Sequence, residues 1–113
     1  MNGSMNKNES GSDWHFAGST GDVSEDMPLT IKAGDKEVGV YLINGQYYAL
    51  EDVCPHAYAL LSQGFVMDEE IECPLHAARF NITTGKCTAG PVGRDLKVYP
   101  LRVDGDRILV RVD

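Results

Sequence analysis

The sequence is poor in the residues from which covalent and membrane-spanning frameworks are built. It has three cysteines, three histidines and one tryptophan in 113 residues, and its first ten residues, MNGSMNKNES, contain no hydrophobic export segment. Three cysteines without an export signal argue against a disulfide framework and predict a cytoplasmic protein. No apolar run approaches the ~20 residues of a membrane span, so we expect no membrane contact.

Positive charge is also scarce. Ten Lys and Arg residues stand against 17 Asp and Glu, which gives a formal net charge of −7. Binding to nucleic acid phosphates needs a basic face, so nucleic acid is excluded as a partner, and a protein with a basic surface is favoured. The length predicts one domain, residues 13–113, after a disordered polar tail at residues 1–12.

Helical periodicity is absent, and the pattern from Trp14 onward is that of short β-strands with turn signals between them. Asn44-Gly45 is the strongest hairpin signal, and further hairpins are predicted to turn near Asp68-Glu69 and at Asp104-Gly105. The pattern therefore predicts an all-β sandwich or barrel. The remaining expectations are a strand over 97–103 paired with one over 107–112, a strand from Arg79 to Thr83, and a single helical turn near 57–61.

The scarce metal-binding residues are concentrated in one stretch, CPHAYALLSQGFVMDEEIECPLH, residues 54–76. It holds two mixed pairs, Cys54-Pro-His56 and Cys73-Pro-Leu-His76, separated by 16 residues. A proline follows each cysteine and places the pair on a tight loop after a predicted strand. Two such loops at strand ends can face one another and hold a common group.

Four interpretations of the pairs are open. Core cysteines with satisfied histidines would explain one isolated residue more easily than two matched pairs. Zinc accepts a Cys₂His₂ set, although common zinc fingers pair like with like and place the histidines on a helix. A Cys–His hydrolytic dyad leaves the duplication unexplained. A two-iron, two-sulfide cluster with two thiolates and two neutral imidazoles has no formal charge when oxidised, so it accepts an electron more easily than an all-thiolate cluster.

The spacing C-x-H-x₁₆-C-x-x-H resembles the Rieske 2Fe–2S motif. ALLSQG, IECPLHAARFNITTGK and GPVGRDLKVYPLRVDGDRILV extend the likeness to the small Rieske ferredoxins of bacterial aromatic-ring-hydroxylating dioxygenase systems, over 14–112. The resemblance implies an antiparallel β-sandwich with a small cluster-binding subdomain at about residues 50–85. It further implies one Rieske-type 2Fe–2S cluster, with Cys54 and Cys73 on the inner iron, His56 and His76 on the outer iron, and a covering loop around Pro91.

Some positions depart from the high-potential Rieske proteins of respiratory chains. Ala59 and Leu75 stand where those proteins have a disulfide, and Ala78 and Phe80 stand where they have Ser and Tyr hydroxyls near the cluster sulfurs. Loss of those donors disfavours the more negative reduced cluster. The resemblance therefore implies a potential near the low end of the Rieske range.

The sequence has no catalytic machinery of its own. After His56 and His76 are assigned, only His15 remains, and one histidine cannot build a two-His, one-carboxylate iron site. We therefore expect a monomeric electron carrier, not an enzyme, without a small-molecule substrate. Its expected partners are a flavin-dependent ferredoxin reductase and a terminal oxygenase. The Rieske-like small subunit of an assimilatory nitrite reductase and a zinc-stabilised interaction module are the alternatives.

Three further features have modest expected roles. Cys87 falls outside the ligand set and is expected to be a packed or free thiol. The acidic residues Asp68, Glu69, Glu70 and Glu72 form either a solvated turn or a surface that steers basic partners. Trp14 and Tyr58 are expected to pack, as is His15, and Pro55, Leu75 and Pro91 are the predicted docking tip around the cluster.

Overall fold

The computed structural model describes residues 14–54, 59–74, 78–90 and 94–112. Within these ranges the chain forms β-strands joined by tight turns and two short 3₁₀ turns, Thr20–Asp22 and Leu61–Gln63. The strands are β1 Trp14–Ser19, β2 Leu29–Ala33, β3 Lys36–Ile43, β4 Gln46–Glu51, β5 Phe65–Met67, β6 Glu70–Glu72, β7 Arg79–Asn81, β8 Cys87–Ala89, β9 Val98–Tyr99, β10 Leu101–Asp104 and β11 Arg107–Arg111.

The strands form three antiparallel sheets, which confirms the all-β prediction. The central sheet has the order β9-β4-β3-β2, a second sheet has the order β10-β11-β1, and a third has the order β5-β6-β7-β8. Every pairing within them is antiparallel. All four strands of the third sheet lie between Phe65 and Ala89, so this sheet is formed by one continuous segment of the chain.

Strand β3 is apolar on both faces because the central sheet packs against a core on each side. Val38 and Val40 join Ile108 and Val110 in one core with the second sheet. The alternate residue Tyr41 belongs to the other core, which also contains Cys54 and Cys73 and residues of the third sheet. This double burial explains the run VGVYLI, because a strand covered on both faces has no polar alternation.

Two of the predicted hairpins are confirmed. Asn44 and Gly45 both have positive φ, 51° and 81°, as a two-residue type I′ turn requires, and they join β3 to β4. Asp68, with φ 56°, and Glu69 join β5 to β6, where Met67 pairs with Glu70.

The third hairpin turns one residue later than predicted. Asp104 pairs with Arg107, so the two turn residues are Gly105 and Asp106, with φ +67° at Gly105. The predicted strand over 97–103 is also divided at Pro100, which has no N–H for a ladder. Its first part, β9, joins the central sheet, and its second part, β10, joins the second sheet.

One local prediction is wrong because of side-chain hydrogen bonding. The strand from Arg79 ends at Asn81, because the Asn81 side chain accepts hydrogen bonds from the N–H groups of Thr83 and Thr84 and turns the backbone. A 3₁₀ turn spans Leu61–Gln63, where the N–H of Leu61 donates to the main-chain carbonyl of Asp52 and the N–H of Ser62 donates to the Asp52 carboxylate. Residues 57 and 58 of the helical turn predicted near 57–61 lie outside the described residues.

No helix in the described ranges is long and apolar enough to cross a membrane. The predicted tail at residues 1–12 lies outside the described residues.

Candidate metal centre

Two loops that begin at the predicted ligand cysteines share one backbone design. Cys54 follows the end of β4, and Cys73 follows β6 directly. The N–H of Cys54 donates to the carbonyl of Ala59 at 2.9 Å, and the N–H of Cys73 donates to the carbonyl of Ala78 at 2.8 Å. Each loop is thus closed by a bond from its cysteine to the residue five positions later. The repeated closure matches the repeated Cys–His pair of the sequence.

Both cysteines are buried in the same apolar core. Cys54 is 2% exposed and Cys73 is 1% exposed, and neither is in a disulfide. Ala78 and Phe80, the positions that lack hydroxyls, are also fully buried in this core. Both sulfurs therefore lie among apolar side chains, and neither position 78 nor position 80 supplies a hydroxyl donor.

The histidines of the predicted ligand set lie outside the described residues. These are His56 and His76, and the predicted tip residues Pro55, Leu75 and Pro91 also lie there, as does Tyr58. Within the described ranges no group of three or more His, Cys, Asp and Glu side chains is arranged as a metal site. The structure therefore describes the sulfur half of the predicted set, and the nitrogen half stays a prediction.

The residues that lead into and out of each cysteine loop, which we call its neck, are paired differently in the two loops. The second loop continues a regular ladder, in which Ile71 pairs with Phe80 and Glu72 with Arg79. An ion pair, Arg79 Nε to Glu72 Oε1 at 3.1 Å, adds to its last rung. Among the described residues of the first loop, the strand pairing at its neck is an isolated bridge between Val53 and Leu60.

At the first neck, a buried carboxylate makes side-chain hydrogen bonds in place of the strand pairs missing among the described residues. Asp52 is fully buried, and its two carboxylate oxygens accept hydrogen bonds from the N–H of Ser62 at 2.7 Å and from the Ser62 hydroxyl at 2.6 Å. Burial raises the pKa of Asp52 to about 6; the Ser62 bonds oppose this shift, and the charge of Glu37 adds to it. Sequence reasoning missed this residue, and the only signal was an acidic residue at the end of an apolar strand.

A third segment approaches the second loop from the side of the predicted covering loop. Gly90 has φ +94°, and a Cβ placed on it would lie 2.5 Å from the Cα of Ala78. No side chain fits in this gap, because real Cβ atoms do not approach backbone so closely. The chain before residue 91 is therefore packed against the backbone that closes the loop of Cys73.

The chain after the covering loop is anchored at the end of β4. Arg94 makes two hydrogen bonds to the Glu51 carboxylate, one from Nη1 to Oε1 at 2.7 Å and one from Nη2 to Oε2. The N–H of Lys97 donates to Oε1 at 2.9 Å. Partial burial raises the pKa of Glu51, but the bonds and charges of Arg94 and Lys97 outweigh it and lower the pKa overall.

Two of the minor candidates, Cys87 and Trp14, have these surroundings. Cys87 is half-buried against the core that contains Cys54 and Cys73, and its thiol faces the carbonyl of Ala89 at 3.6 Å. Trp14 packs under two guanidinium groups, those of Arg102 at 4.8 Å and Arg111 at 5.2 Å from the ring centre. The packing expected for Trp14 is observed.

The residues present fit a Rieske-type cluster. Two buried thiols lie in one apolar core on loops of matching closure, and Gly90 lets a third segment approach one of these loops without a side chain between them. Sulfur donors in a dry, preorganised environment are suited to iron–sulfur chemistry. A disulfide framework is absent, since none of the three cysteines forms a disulfide.

Comparisons with known proteins agree with this geometry. A curated relative, the ferredoxin component of the naphthalene 1,2-dioxygenase/salicylate 5-hydroxylase systems of Ralstonia sp, is 35% identical over 100 residues, which cover 88% of this chain and 96% of the relative. The solved ferredoxin of carbazole 1,9a-dioxygenase from Nocardioides aromaticivorans IC177 superposes with a TM-score of 0.83 at 33% identity, covering 88% of this chain and 98% of that one. A ferredoxin chain solved in complex with the reduced oxygenase of carbazole 1,9a-dioxygenase gives 0.81 at 30% identity, covering 88% and 93%.

A small subunit described as that of an NADH-dependent nitrite reductase from Mycobacterium tuberculosis is also similar, with a TM-score of 0.76 at 25% identity over 88% of this chain and 96% of that one. Its TM-score and its identity are lower than those of the two solved ferredoxins described above. The model of the Rieske [2Fe-2S] domain matches residues 13–100. The chain belongs to the Rieske [2Fe-2S] domain family.

Proposed function

We propose that this chain is the ferredoxin component of an aromatic-ring-hydroxylating dioxygenase system. It would carry single electrons from an NAD(P)H-dependent flavin reductase to a terminal oxygenase, as a monomer in the cytoplasm. The observation that carries the proposal is the pair of matched loops, each closed on a buried cysteine in one core. The similarity to ferredoxin components over nearly the full length of those relatives supports the dioxygenase context.

We propose Cys54, His56, Cys73 and His76 as the ligands of one Rieske-type 2Fe–2S cluster. When bound, the cluster accepts and releases one electron at a potential above that of all-thiolate clusters. The chain itself keeps the two sulfurs dry and fixes the backbone that carries them. The two loops are anchored to two separate sheets. We therefore expect the backbone around the site to rearrange little when the charge of the site changes.

Substitution of single cysteines tests the ligand set. Cys54→Ser and Cys73→Ser should give colourless protein with greatly reduced iron content. Cys87→Ser is the matched control, because Cys87 borders the same core but lies outside the proposed set. It should retain the visible absorbance and the EPR signal of the reduced cluster. A coloured Cys73→Ser protein would contradict the assignment, as would a colourless Cys87→Ser protein.

Reconstitution tests the carrier function. Purified protein is reduced anaerobically by a flavin reductase with NADH and is then mixed with an oxygenase, its aromatic substrate and dioxygen. Hydroxylated product should form only when all three proteins are present, and the reductase and oxygenase alone serve as the control. Stable association with a large sirohaem protein instead, without turnover by any oxygenase, would favour the nitrite reductase subunit.

A further inference from the structure

The neck of the first cysteine loop contains a buried carboxylate, that of Asp52. Asp52 is completely buried, and within the described chain both hydrogen bonds to its carboxylate come from residue 62, a neutral donor. A carboxylate buried without a cation costs free energy, and an apolar residue of similar size would be tolerated more easily in a purely structural role. The position therefore calls for a reason other than packing.

The contacts of Asp52 join three parts of the molecule. Its N–H donates to the carbonyl of Glu37 on β3 at 3.0 Å, and its carbonyl accepts from the N–H of Leu61 at 2.7 Å. Its carboxylate binds both the N–H and the hydroxyl of Ser62. The backbone that enters the loop is thereby tied to the backbone that leaves it, and both are tied to the central sheet.

A chain of hydroxyl groups extends the tie to another strand. The Ser62 hydroxyl lies 2.5 Å from the Thr30 hydroxyl on β2. Because Ser62 uses its proton on Asp52, Thr30 must be the donor in that contact. Gly39 on β3 makes room for the network, since a Cβ there would lie 3.0 Å from Oδ1 of Asp52.

The second loop needs no such device. Its neck continues a three-rung strand ladder that ends in the Glu72–Arg79 pair, whereas the first neck has the single bridge between Val53 and Leu60. The side-chain network thus supplies at the first loop the rigidity that strand pairing supplies at the second. Cys54 lies two residues after Asp52, so any change at the neck is passed directly to the first ligand.

We propose that Asp52 and Ser62 are positioning residues for the cluster, which hold the first cysteine loop at a fixed spacing relative to the second. The inference rests on the proposed function, in which Cys54 is a ligand. A looser first loop would leave the ligand set intact but would change the geometry of the cluster, because this loop carries one proposed ligand of each iron. The spectroscopic signature of the cluster and its rate of loss then depend on a residue that does not touch it.

Ser62→Ala is the decisive variant, because it removes the hydroxyl donor and leaves the Asp52 charge in place. Asp52→Asn removes the charge and keeps the shape. Loss of one buried hydrogen bond to a charged group predicts that a chelator removes the cluster roughly tenfold faster from Ser62→Ala. The reduced EPR spectrum should also shift in its g-values for both variants.

Val110→Ala is the matched control. Val110 is fully buried in the core on the opposite face of the central sheet, away from both loops. This variant should lower the thermal midpoint by at least as much as Ser62→Ala, with EPR g-values and a chelator rate, measured well below that midpoint, that match the unmodified protein.

If Ser62→Ala behaves like Val110→Ala in both readouts, the network is only structural and the inference fails. This outcome is distinct from failure of the proposed ligand set, which would appear as a coloured Cys54→Ser protein whatever the two neck variants do. Ser62→Thr keeps a hydroxyl and should restore the original EPR spectrum; a spectrum still shifted as in Ser62→Ala would contradict the role of the hydroxyl bond.

Discussion

Gly90 lies where a single methyl group should disturb the metal centre. Its φ of +94° is unfavourable for any residue with a Cβ, by about 1–2 kcal/mol. A Cβ would also lie 2.5 Å from the Cα of Ala78 and 3.1 Å from its nitrogen. Carbon atoms in contact prefer roughly 3.5–4.0 Å, so the chain at residue 90 must move away from the loop of Cys73 by about 1 Å. Overpacking of this kind adds about 1–3 kcal/mol.

Gly105 provides the control, because it shares the backbone strain without the contact. Its φ is +67°, and a Cβ there would meet nothing within 4 Å. Gly105→Ala should therefore lower stability by only the shared 1–2 kcal/mol, roughly. Gly90→Ala should unfold at a midpoint at least about 4 °C below that of Gly105→Ala. It should also lose its cluster to a chelator faster.

Thermal unfolding followed by visible absorbance measures both effects in one experiment, and a chelator time course at a fixed low temperature separates them. Equal midpoints and equal chelator rates for Gly90→Ala and Gly105→Ala would refute the contact with the Cys73 loop. A lower midpoint for Gly90→Ala with an unchanged chelator rate would limit the contact to fold stability and would remove its role at the metal centre.

Further predictions concern potential, pH and charge. Ala78→Ser and Phe80→Tyr should each raise the reduction potential, by roughly 60–130 mV if the new hydroxyl bonds a cluster sulfur with about 1.5–3 kcal/mol; a redox titration showing no rise would place these positions away from the sulfurs. Because the pKa of Asp52 is raised to about 6 in the fold, the folded state binds a proton that the unfolded state does not. The unfolding free energy of the native protein minus that of Asp52→Asn should thus increase by about 1 kcal/mol from pH 7 to pH 5, and a flat difference would contradict the shift. Charge reversal at Glu69 and Glu70 should weaken the salt dependence of electron transfer if these residues steer a basic partner; an unchanged salt dependence would leave them a solvated turn.

The sequence predicted the strand-rich fold and the two confirmed hairpins because the signals there are local. Asn-Gly at 44–45 determines its turn through backbone conformation alone. The turn after β10 was misplaced by one residue for a related reason, since both Asp104-Gly105 and Gly105-Asp106 are acceptable turn pairs. Only the pairing of Asp104 with Arg107 distinguishes them, and pairing is a long-range property.

The two cysteines were identified from spacing, but their surroundings could not be. Asp52 and Ser62 are ten residues apart, and neither residue type by itself predicts a buried hydrogen bond between them. Likewise, the ion pair between Glu51 and Arg94 spans 43 positions. Such contacts arise from the way sheets pack, so a sequence pattern of period two does not contain them.

The different supports of the two loops suggest which of them is open to tuning. The Cys73 loop continues a strand ladder, and any change at its neck would disturb the pairing of β6 with β7 and the core around Ile71. The Cys54 loop is held by side chains instead, and side chains can be exchanged without breaking a sheet. If Asp52 and Ser62 position the first loop, variation of this network changes the geometry of the cluster without breaking a sheet. The first loop is then the place where the properties of this carrier can be adjusted to its partners.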